Sequence, residues 1–600
     1  MPELFTFWPK CILFLCYISK LIRMSPTLTM TDEGKHLNFL FNFLIFSDML
    51  KEESGKSNSG GKTISRRSFL RTTTAASAAF TIIPSVAMGK KLGHQAPSDT
   101  LNVALVGAGS QGSGDIGSIC KPEVAQAAQG PMGMASRAGT EKLVAVCDVD
   151  WGYGPVTGTF AKYPSATKYK DWRVMFDEMG KSIDAVVIAT ADHNHANPAA
   201  TAMTLGKHVY VEKPLTHTIY ESRLLTKLAK KYGVATQMGN QGSSGAGVRQ
   251  ACAWAWAGEI GEVRKVDVWS SRPIWPQGLD TPTEVMKVPK TLDWNLWIGH
   301  MPFRPYNSAY TPWNFRGWWD FGTGAFGDMA CHNMHPVFKV LQLGYPIKAQ
   351  GQSTTLKKDG CPHAQIVKMT FPARPNLPYM AMPEVEVTWY DGGFRAMAPD
   401  VLPEGKTWQG EGCALYGTKD TLILGSHGAG AYLLSGRTPK SPEVLRVVPD
   451  NNHYLDWVAA CKDPDLRTKI ASHFGEAGPF NEMVLMGVLA VRLQKMNRIL
   501  DWDGENMMFT NISDTDRVSI FSQTMDMGRM MAQANAQART AGGAAPARGG
   551  APAGGAPAGG PGGPGGQRPA DTSVVNAKEF VTNLIRHEYL NGFKLPDMPA

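Results

Sequence analysis

Oxidising an alcohol requires a base for the hydroxyl proton and a cation for the charge that gathers on oxygen. Two widely separated residues offer that pair. Lys213 closes the run Lys207-His208-Val209-Tyr210-Val211-Glu212-Lys213-Pro214, and His332 follows Asp328 by four positions in Gly322-Thr323-Gly324-Ala325-Phe326-Gly327-Asp328-Met329-Ala330-Cys331-His332. On a helix, an i, i+4 pair shares one face, so Asp328 could orient a proton-transfer pair made of His332 and Lys213. The same spacing suits a metal, but no third ligand stands at a suitable interval, so no metal site is expected. A core histidine satisfied by its neighbours is the competing reading of His332. A second chemistry is written in Gly107-Ala108-Gly109-Ser110-Gln111-Gly112, which follows the apolar run Leu101–Val106 and precedes a predicted helix. Glycines there allow a tight turn and a close backbone approach to a pyrophosphate.

The elements that must carry these groups follow from the pattern around them. Strand-type runs at Leu101–Val106, Lys142–Cys147, Ile183–Thr190, Lys207–Glu212 and Ala235–Met238 alternate with helical stretches, which predicts a doubly wound parallel sheet. Ligands bind such sheets beyond the carboxyl ends of the strands, where Thr190, Asp192, His195, Glu212 and Lys213 fall. Asp148, at the end of the second run, can accept hydrogen bonds from both ribose hydroxyls of NAD and would repel the extra phosphate of NADP. Asp150 is its rival for that role. Pro122–Thr140 is a Gly/Ala/Met-rich insertion that widens the spacing. From Val263 the pattern changes to half-exposed strands (Val263–Ser271, Gln365–Phe371, Glu384–Tyr390, Cys413–Tyr416, Thr421–Leu424), predicting an open, mainly antiparallel sheet. The predicted fold is therefore α/β: a Rossmann domain over 98–241, then an α+β domain over 242–515. The segment from Leu292 to Asp320 is dense in Trp, Tyr and Arg, a composition that suits the apolar face and polar rim of a sugar, although any single tryptophan there is expected to be structural.

Asp192-His193-x-His195 followed by Gly206-Lys207-His208-Val209-x-Val211-Glu212-Lys213-Pro214 resembles the signature of the glucose-fructose oxidoreductase/inositol dehydrogenase/MocA family. The resemblance runs from about Leu101 to Asn511 and includes Gln237-Met238-Gly239-Asn240-Gln241, Phe474–Pro479 and Leu500–Asp503, segments similar to an exported, twin-arginine branch. It implies that Lys213 reaches the reacting hydroxyl and the nicotinamide, that the Lys213–Pro214 peptide is cis, and that Gln241 joins the cofactor residues. It further implies a sugar or polyol substrate and a homo-oligomer built through the open sheet. Where the family often has Asp, three residues after His332, this chain has His335, so no role is carried over for that position. Relatives that cleave glycosides through transient sugar oxidation supply an alternative function, a redox-neutral glycosidase or lyase. A sugar-binding protein without catalysis is a third reading, against which Lys213 and His332 are both present.

Residues 1–90 carry eleven Lys/Arg against six Asp/Glu, so most of the net charge of +8 lies there and the remainder shows no footprint for nucleic acid. Within them Ser65-Arg66-Arg67-Ser68-Phe69-Leu70-Arg71, a mild apolar stretch (Thr72–Ile83) and Pro84-Ser85-Val86-Ala87 read as a twin-arginine export signal with a cleavage site near Ala87. The expected route is the Tat translocase, the expected location periplasmic or otherwise exported, and no stable membrane span is expected after processing. Because such signals sit near the true start, residues 1–48 are expected to be a gene-model artefact, with translation beginning at Met30 or Met49. Outside the cytoplasm no free nucleotide pool exists, so NAD would travel tightly bound. Cys11 and Cys16 lie in the leader, and the other seven of nine cysteines are scattered singly, which predicts buried free thiols. Ala538–Pro569 reads as a flexible linker. The tail 570–600, with a predicted helix at Glu579–Tyr589, should dock on this chain or on a partner subunit.

Overall fold

The computed structural model describes residues 99–124, 139–377, 381–521 and 573–599. The chain divides into the units Met1–Gly93 and His94–Ala600, and all described residues belong to the second. The leader with its twin-arginine motif, most of the 122–140 insertion and the 538–569 linker lie outside the described residues.

The first half alternates as its apolar runs predict. β1 (Asn102–Val106), α1 (Ser110–Ile119), β2 (Lys142–Cys147), α2 (Gly154–Lys162), β3 (Thr167–Tyr169) and α3 (Trp172–Met179) come first. β4 (Ala185–Ile188), α4 (Ala196–Thr204), β5 (His208–Glu212), α5 (Ile219–Tyr232) and β6 (Thr236–Gly239) follow. The strands lie in the order β3-β2-β1-β4-β5-β6, every pair parallel. The chain crosses from one side of β1 to the other between β3 and β4, so a crevice opens beyond the ends of β1 and β4. α5 begins with a reciprocal cap between Thr218 and Glu221 and ends at Gly233 in the left-handed region (φ 60°), which fixes both of its ends.

The second half contains α6 (Ala246–Trp256), β7 (Val263–Trp269), α7 (Trp294–Ile298), α8 (Gly324–Asn333) and α9 (His335–Leu341). Next come β8 (Lys348–Ser353), β9 (Gln365–Phe371), β10 (Val385–Tyr390), β11 (Gly412–Gly417), β12 (Thr421–Gly425) and β13 (Tyr432–Leu433). α10 (His453–Lys462), α11 (Phe474–Arg492), β14 (Leu500–Asp503) and β15 (Met508–Phe509) close it. These strands form one sheet in the order β13-β12-β11-β7-β10-β9-β8-β14-β15, antiparallel except for the β10–β7 pair. In β9 burial alternates with period two, Val367, Met369 and Phe371 pointing inward while Lys368 and Thr370 face out. α11 and α8 cover the apolar face: the backbone of α11 at Val491 approaches Gly351, and Phe326 of α8 lies against Gly487. α11 starts at Phe474 because His473 caps the helix through the amide of Gly475, and Pro479 is accommodated inside it.

Two contacts alter the simple picture of sequential halves. Trp457, Val458, Ala460 and Cys461 of α10 pack with Val103, Leu105, Val187 and Tyr210 of the parallel sheet, so the Rossmann layer is completed by chain from far beyond residue 241. The C-terminal tail docks on its own chain. β16 (Arg517–Ser519) pairs antiparallel with β17 (Val574–Asn576), and α12 (Ala577–Ile585) follows, shorter than predicted. Tyr589 donates to Glu221 at 2.6 Å, and Asn591 Nδ2 donates to the carbonyls of Gly299 and Met301. All seven cysteines after the leader are buried and free. Among the described residues no helix is long and apolar enough to cross a membrane.

Candidate active site

The glycine turn is built for close packing on one side and left open on the other. Gly107 has φ +90°, and a Cβ there would lie 2.5 Å from the carbonyl oxygen of Ala189. A Cβ on Gly112 would lie 2.0 Å from the carbonyl oxygen of Gly107. At Gly109 the nearest neighbour is the Tyr153 ring at 3.5 Å, so its backbone faces the cleft that Ser110 and Gln111 also line. The start of α1 thus presents free amides to an anion. At the end of β2, Asp148 accepts from the amides of Ala108 (2.7 Å) and Asp150 (2.9 Å), one on each oxygen. A carboxylate has about four acceptor positions, so two are left for ribose hydroxyls. Burial pushes its pKa up to about 6, against the pull of those amides. Asp150 also lines the cleft but spends its Oδ1 on Gly152 and Thr291. The turn, the open amides and Asp148 together fit a dinucleotide.

The reacting end lies in the same cleft, where Thr190, Asp192 and Lys213 leave β4 and β5. Lys213 Nζ donates to Asp328 Oδ1 at 2.5 Å, and Arg316 Nε donates to the same oxygen at 3.0 Å. Burial works to raise the Asp328 pKa, but Lys213 and Arg316 outweigh it and hold the carboxyl well below the usual range. Asp192 is buried, accepts from Thr323 at 3.0 Å, and has its pKa pushed up to about 7 by burial, with Arg316 opposing. Two tasks are thereby separated: Asp328 remains ionised and orients Lys213, while Asp192 titrates near neutrality.

His195 lies behind this line, and Glu212 faces the cleft beside Lys213. His195 is pinned between the carbonyls of Pro214 (2.7 Å) and Thr190 (3.1 Å), and burial brings its pKa down to about 4, so it is neutral and structural. It fixes the turn in which Lys213–Pro214 is cis. Glu212, whose pKa burial raises to about 7, accepts from Gln241 (2.9 Å) and from the amide of Lys213 (3.2 Å). Gln241 does not line the cleft. It reaches the site through Glu212, and also donates toward Tyr210 and Tyr454. Tyr454, from α10, donates to buried Asp115 of α1 at 2.9 Å.

His332 is on the same helix as Asp328, as the spacing requires, but hydrogen-bonds to neither Asp328 nor Lys213. Its Nδ1 is buried without a partner among the described residues, and its ring lies 4.1 Å from that of His427. Burial, then His427 and Lys213, hold it well below the ordinary histidine range, so it is neutral. Sequence reasoning did not single out Arg316, whose guanidinium lies 4.4 Å over Trp313 and 4.6 Å over Phe315 in the cleft, nor His427. The aromatic density of Leu292–Asp320 was the only signal for Arg316, and nothing local marked His427. His335 pairs with Glu476 at 2.7 Å, away from the reacting groups.

This fold and site define a nucleotide-dependent redox centre on a Rossmann layer joined to a second domain built on a mainly antiparallel sheet. Residues 101–240 match the oxidoreductase family's NAD-binding Rossmann fold, and residues 263–373 match that family's C-terminal alpha/beta domain. Both matches support the Gfo/Idh/MocA family, and NAD is the cofactor of its Rossmann domain. Among curated relatives, the uncharacterized oxidoreductase YdgJ of Escherichia coli is 37% identical over 73 residues, which is 12% of this chain and 20% of that protein. The scyllo-inositol 2-dehydrogenase (NAD(+)) of Bacillus subtilis is 40% identical over 57 residues, 10% of this chain and 17% of its own length. The chain thus spans about a fifth of the length of these curated relatives. An inositol dehydrogenase homolog from Azotobacter vinelandii, complexed with NAD+, aligns at 15% identity and TM-score 0.45, covering 67% of this chain and 97% of that one.

Proposed function

We propose that this chain is an NAD-dependent oxidoreductase that interconverts a hydroxyl and a ketone on a sugar or polyol. One observation carries the reading: Lys213, at the carboxyl end of β5, is held at 2.5 Å by Asp328 of the other domain, in the cleft that also opens onto Gly109 and Asp148. NAD, when bound, supplies the hydride acceptor. Asp148 receives the ribose hydroxyls, and the amides at the start of α1 hold the pyrophosphate. Lys213 donates to the reacting oxygen and stabilises its negative charge, while Asp328 fixes the direction of its ammonium. His332, neutral, takes the hydroxyl proton. Trp297 and Trp313 line the cleft and exclude water from the apolar face of the substrate ring.

Export through the twin-arginine route, a cofactor carried tightly bound, and assembly into a homo-oligomer through the open sheet belong to the same proposal. They rest on the sequence alone. The test is a panel of sugars and polyols assayed for NADH formation with the wild-type protein and Lys213→Ala. Formation with at least one compound, falling about 10²–10³-fold in the variant, is the expected result. Turnover that survives the variant would remove Lys213 from the chemistry, and no NADH with any compound from the wild-type protein would reopen the binding-protein reading.

A further inference from the structure

Orienting Asp328 uses only a small part of what Arg316 brings to the cleft. Arg316 lies in the short turn Asn314–Gly317, whose backbone is clamped from two sides. A Cβ on Gly322 would lie 2.6 Å from the Cα of Arg316, and one on Gly317 would lie 2.4 Å from the carbonyl oxygen of Pro276. The guanidinium is held in plane by aromatic faces, 4.4 Å from the Trp313 ring and 4.6 Å from that of Phe315. Only its Nε is engaged, on Asp328 Oδ1. The two terminal nitrogens have no hydrogen-bond partner among the described residues, and Arg316 lines the cleft. Four of the five N–H donors of a guanidinium are therefore open to a ligand.

The charge at this end of the cleft is unbalanced in the same direction. Lys213 and Arg316 share a single oxygen of Asp328, at 2.5 Å and 3.0 Å. Their side chains are 13% and 15% exposed, so water screens them little. Burial raises Asp192 and Glu212 to about 7, so neither holds a full negative charge at neutral pH. A neutral sugar offers this fork hydroxyls but no countercharge, whereas a carboxylate accepts two parallel bonds from it and supplies the missing charge. A phosphate monoester carries nearly two charges and would exceed the surplus. Because the Lys213 ammonium and Arg316 Nε meet on one oxygen, the fork stands beside the place of the reacting hydroxyl. Acid group and hydroxyl then fit on a single monosaccharide.

We propose that Arg316 binds a carboxylate of the substrate, so that the compound oxidised here is a sugar acid, a uronate or an aldonate. This rests on the hydride-transfer reading, which puts the reacting hydroxyl at Lys213. The terminal nitrogens of Arg316 grip the two carboxylate oxygens, and the Trp313 ring keeps the fork from turning away. The acid group thereby fixes which hydroxyl of the sugar meets the ammonium, and Arg316 determines specificity as well as holding Asp328.

The experiment compares matched acids and neutral compounds on the holoenzyme: D-glucuronate with D-glucose, D-galacturonate with D-galactose, D-gluconate with D-glucitol, and glucose 6-phosphate as the phosphate probe. NADH formation reads turnover, and calorimetry reads binding separately. At least one acid should exceed its neutral partner by about 10²-fold in kcat/KM. Arg316→Gln should lose about 10²-fold on that acid, mainly through KM, and less than tenfold on the neutral partner. Arg316→Lys keeps the charge without the fork and should recover part of the loss; if the glutamine variant does not fold, the lysine variant shows the same acid-specific defect. Neutral sugars or glucose 6-phosphate turned over as well as the acids would overturn the carboxylate site and leave the oxidoreductase standing. Equal losses on acid and neutral partner in both variants would reduce Arg316 to a positioning residue for Asp328 and equally overturn it. Acid binding that Arg316→Gln abolishes, with no NADH from any compound, would support the site and overturn the chemistry, while neither binding nor turnover would overturn both.

Discussion

At the residue scale the site works by keeping two carboxyls in opposite states a short distance apart. Asp328 faces Lys213 and Arg316 and stays ionised, whereas Asp192, buried and accepting from Thr323, titrates at about 7. The folded value of Asp192 lies above its ordinary 3.8, so the folded chain holds this proton more tightly than the unfolded one. Its contribution to stability is full below pH 4 and is lost as pH rises through 7, by up to about 1.4 kcal/mol per unit. Thermal unfolding between pH 5 and 8 should therefore show a decline toward alkaline pH that Asp192→Asn reduces. An identical pH dependence in the variant would mean that Asp192 is not protonated in the folded state. Lys213 and Asp328 were legible as isolated residue types because each stands in a local motif. Arg316 and His427 were not, since their meaning depends on partners brought near by folding: Arg316 meets Asp328 across the start of α8, and His427 meets His332 over 95 positions of chain.

At the element scale five of the six parallel strands, though not β3, some of the helices between them and most strands of the second sheet were readable from apolar period and turn residues. The bounds of β9 were legible to the residue. What periodicity does not encode is which distant helix fills a layer. α10 illustrates this: its hydrophobic residues predict burial but not that they bury against β1 and β5. Trp457 is wholly buried there, and Tyr454 beside it bonds Asp115. Trp457→Ala should cost about 3–5 kcal/mol, read as a fall in the denaturation midpoint, and should weaken NAD binding because α1 loses its backing. A midpoint unchanged within error would show that α10 does not support the Rossmann layer.

At the scale of the whole molecule, the C-terminal tail ties the two halves together. It reaches Glu221 on α5 through Tyr589 and the Gly299–Met301 turn through Asn591, next to Trp297 in the cleft wall. Val581 and Phe593 are buried in the process. A chain ending at Phe521 should unfold at least about 5 °C lower and release cofactor more readily. Equal melting and equal retention would reduce the tail to a passive appendage. The sequence left open whether the tail docked in cis, since an amphipathic helix shows that it needs a surface without saying which.

The central claim is that this fold carries NAD to the groups around Lys213. It is tested most directly by purifying the protein from about Lys90 onward, denaturing it, and assaying the supernatant for nicotinamide nucleotide. Near-stoichiometric NAD or NADH is the predicted result, and it would justify screening sugars in donor and acceptor pairs. A protein that releases none and also fails to bind added NAD would contradict the account.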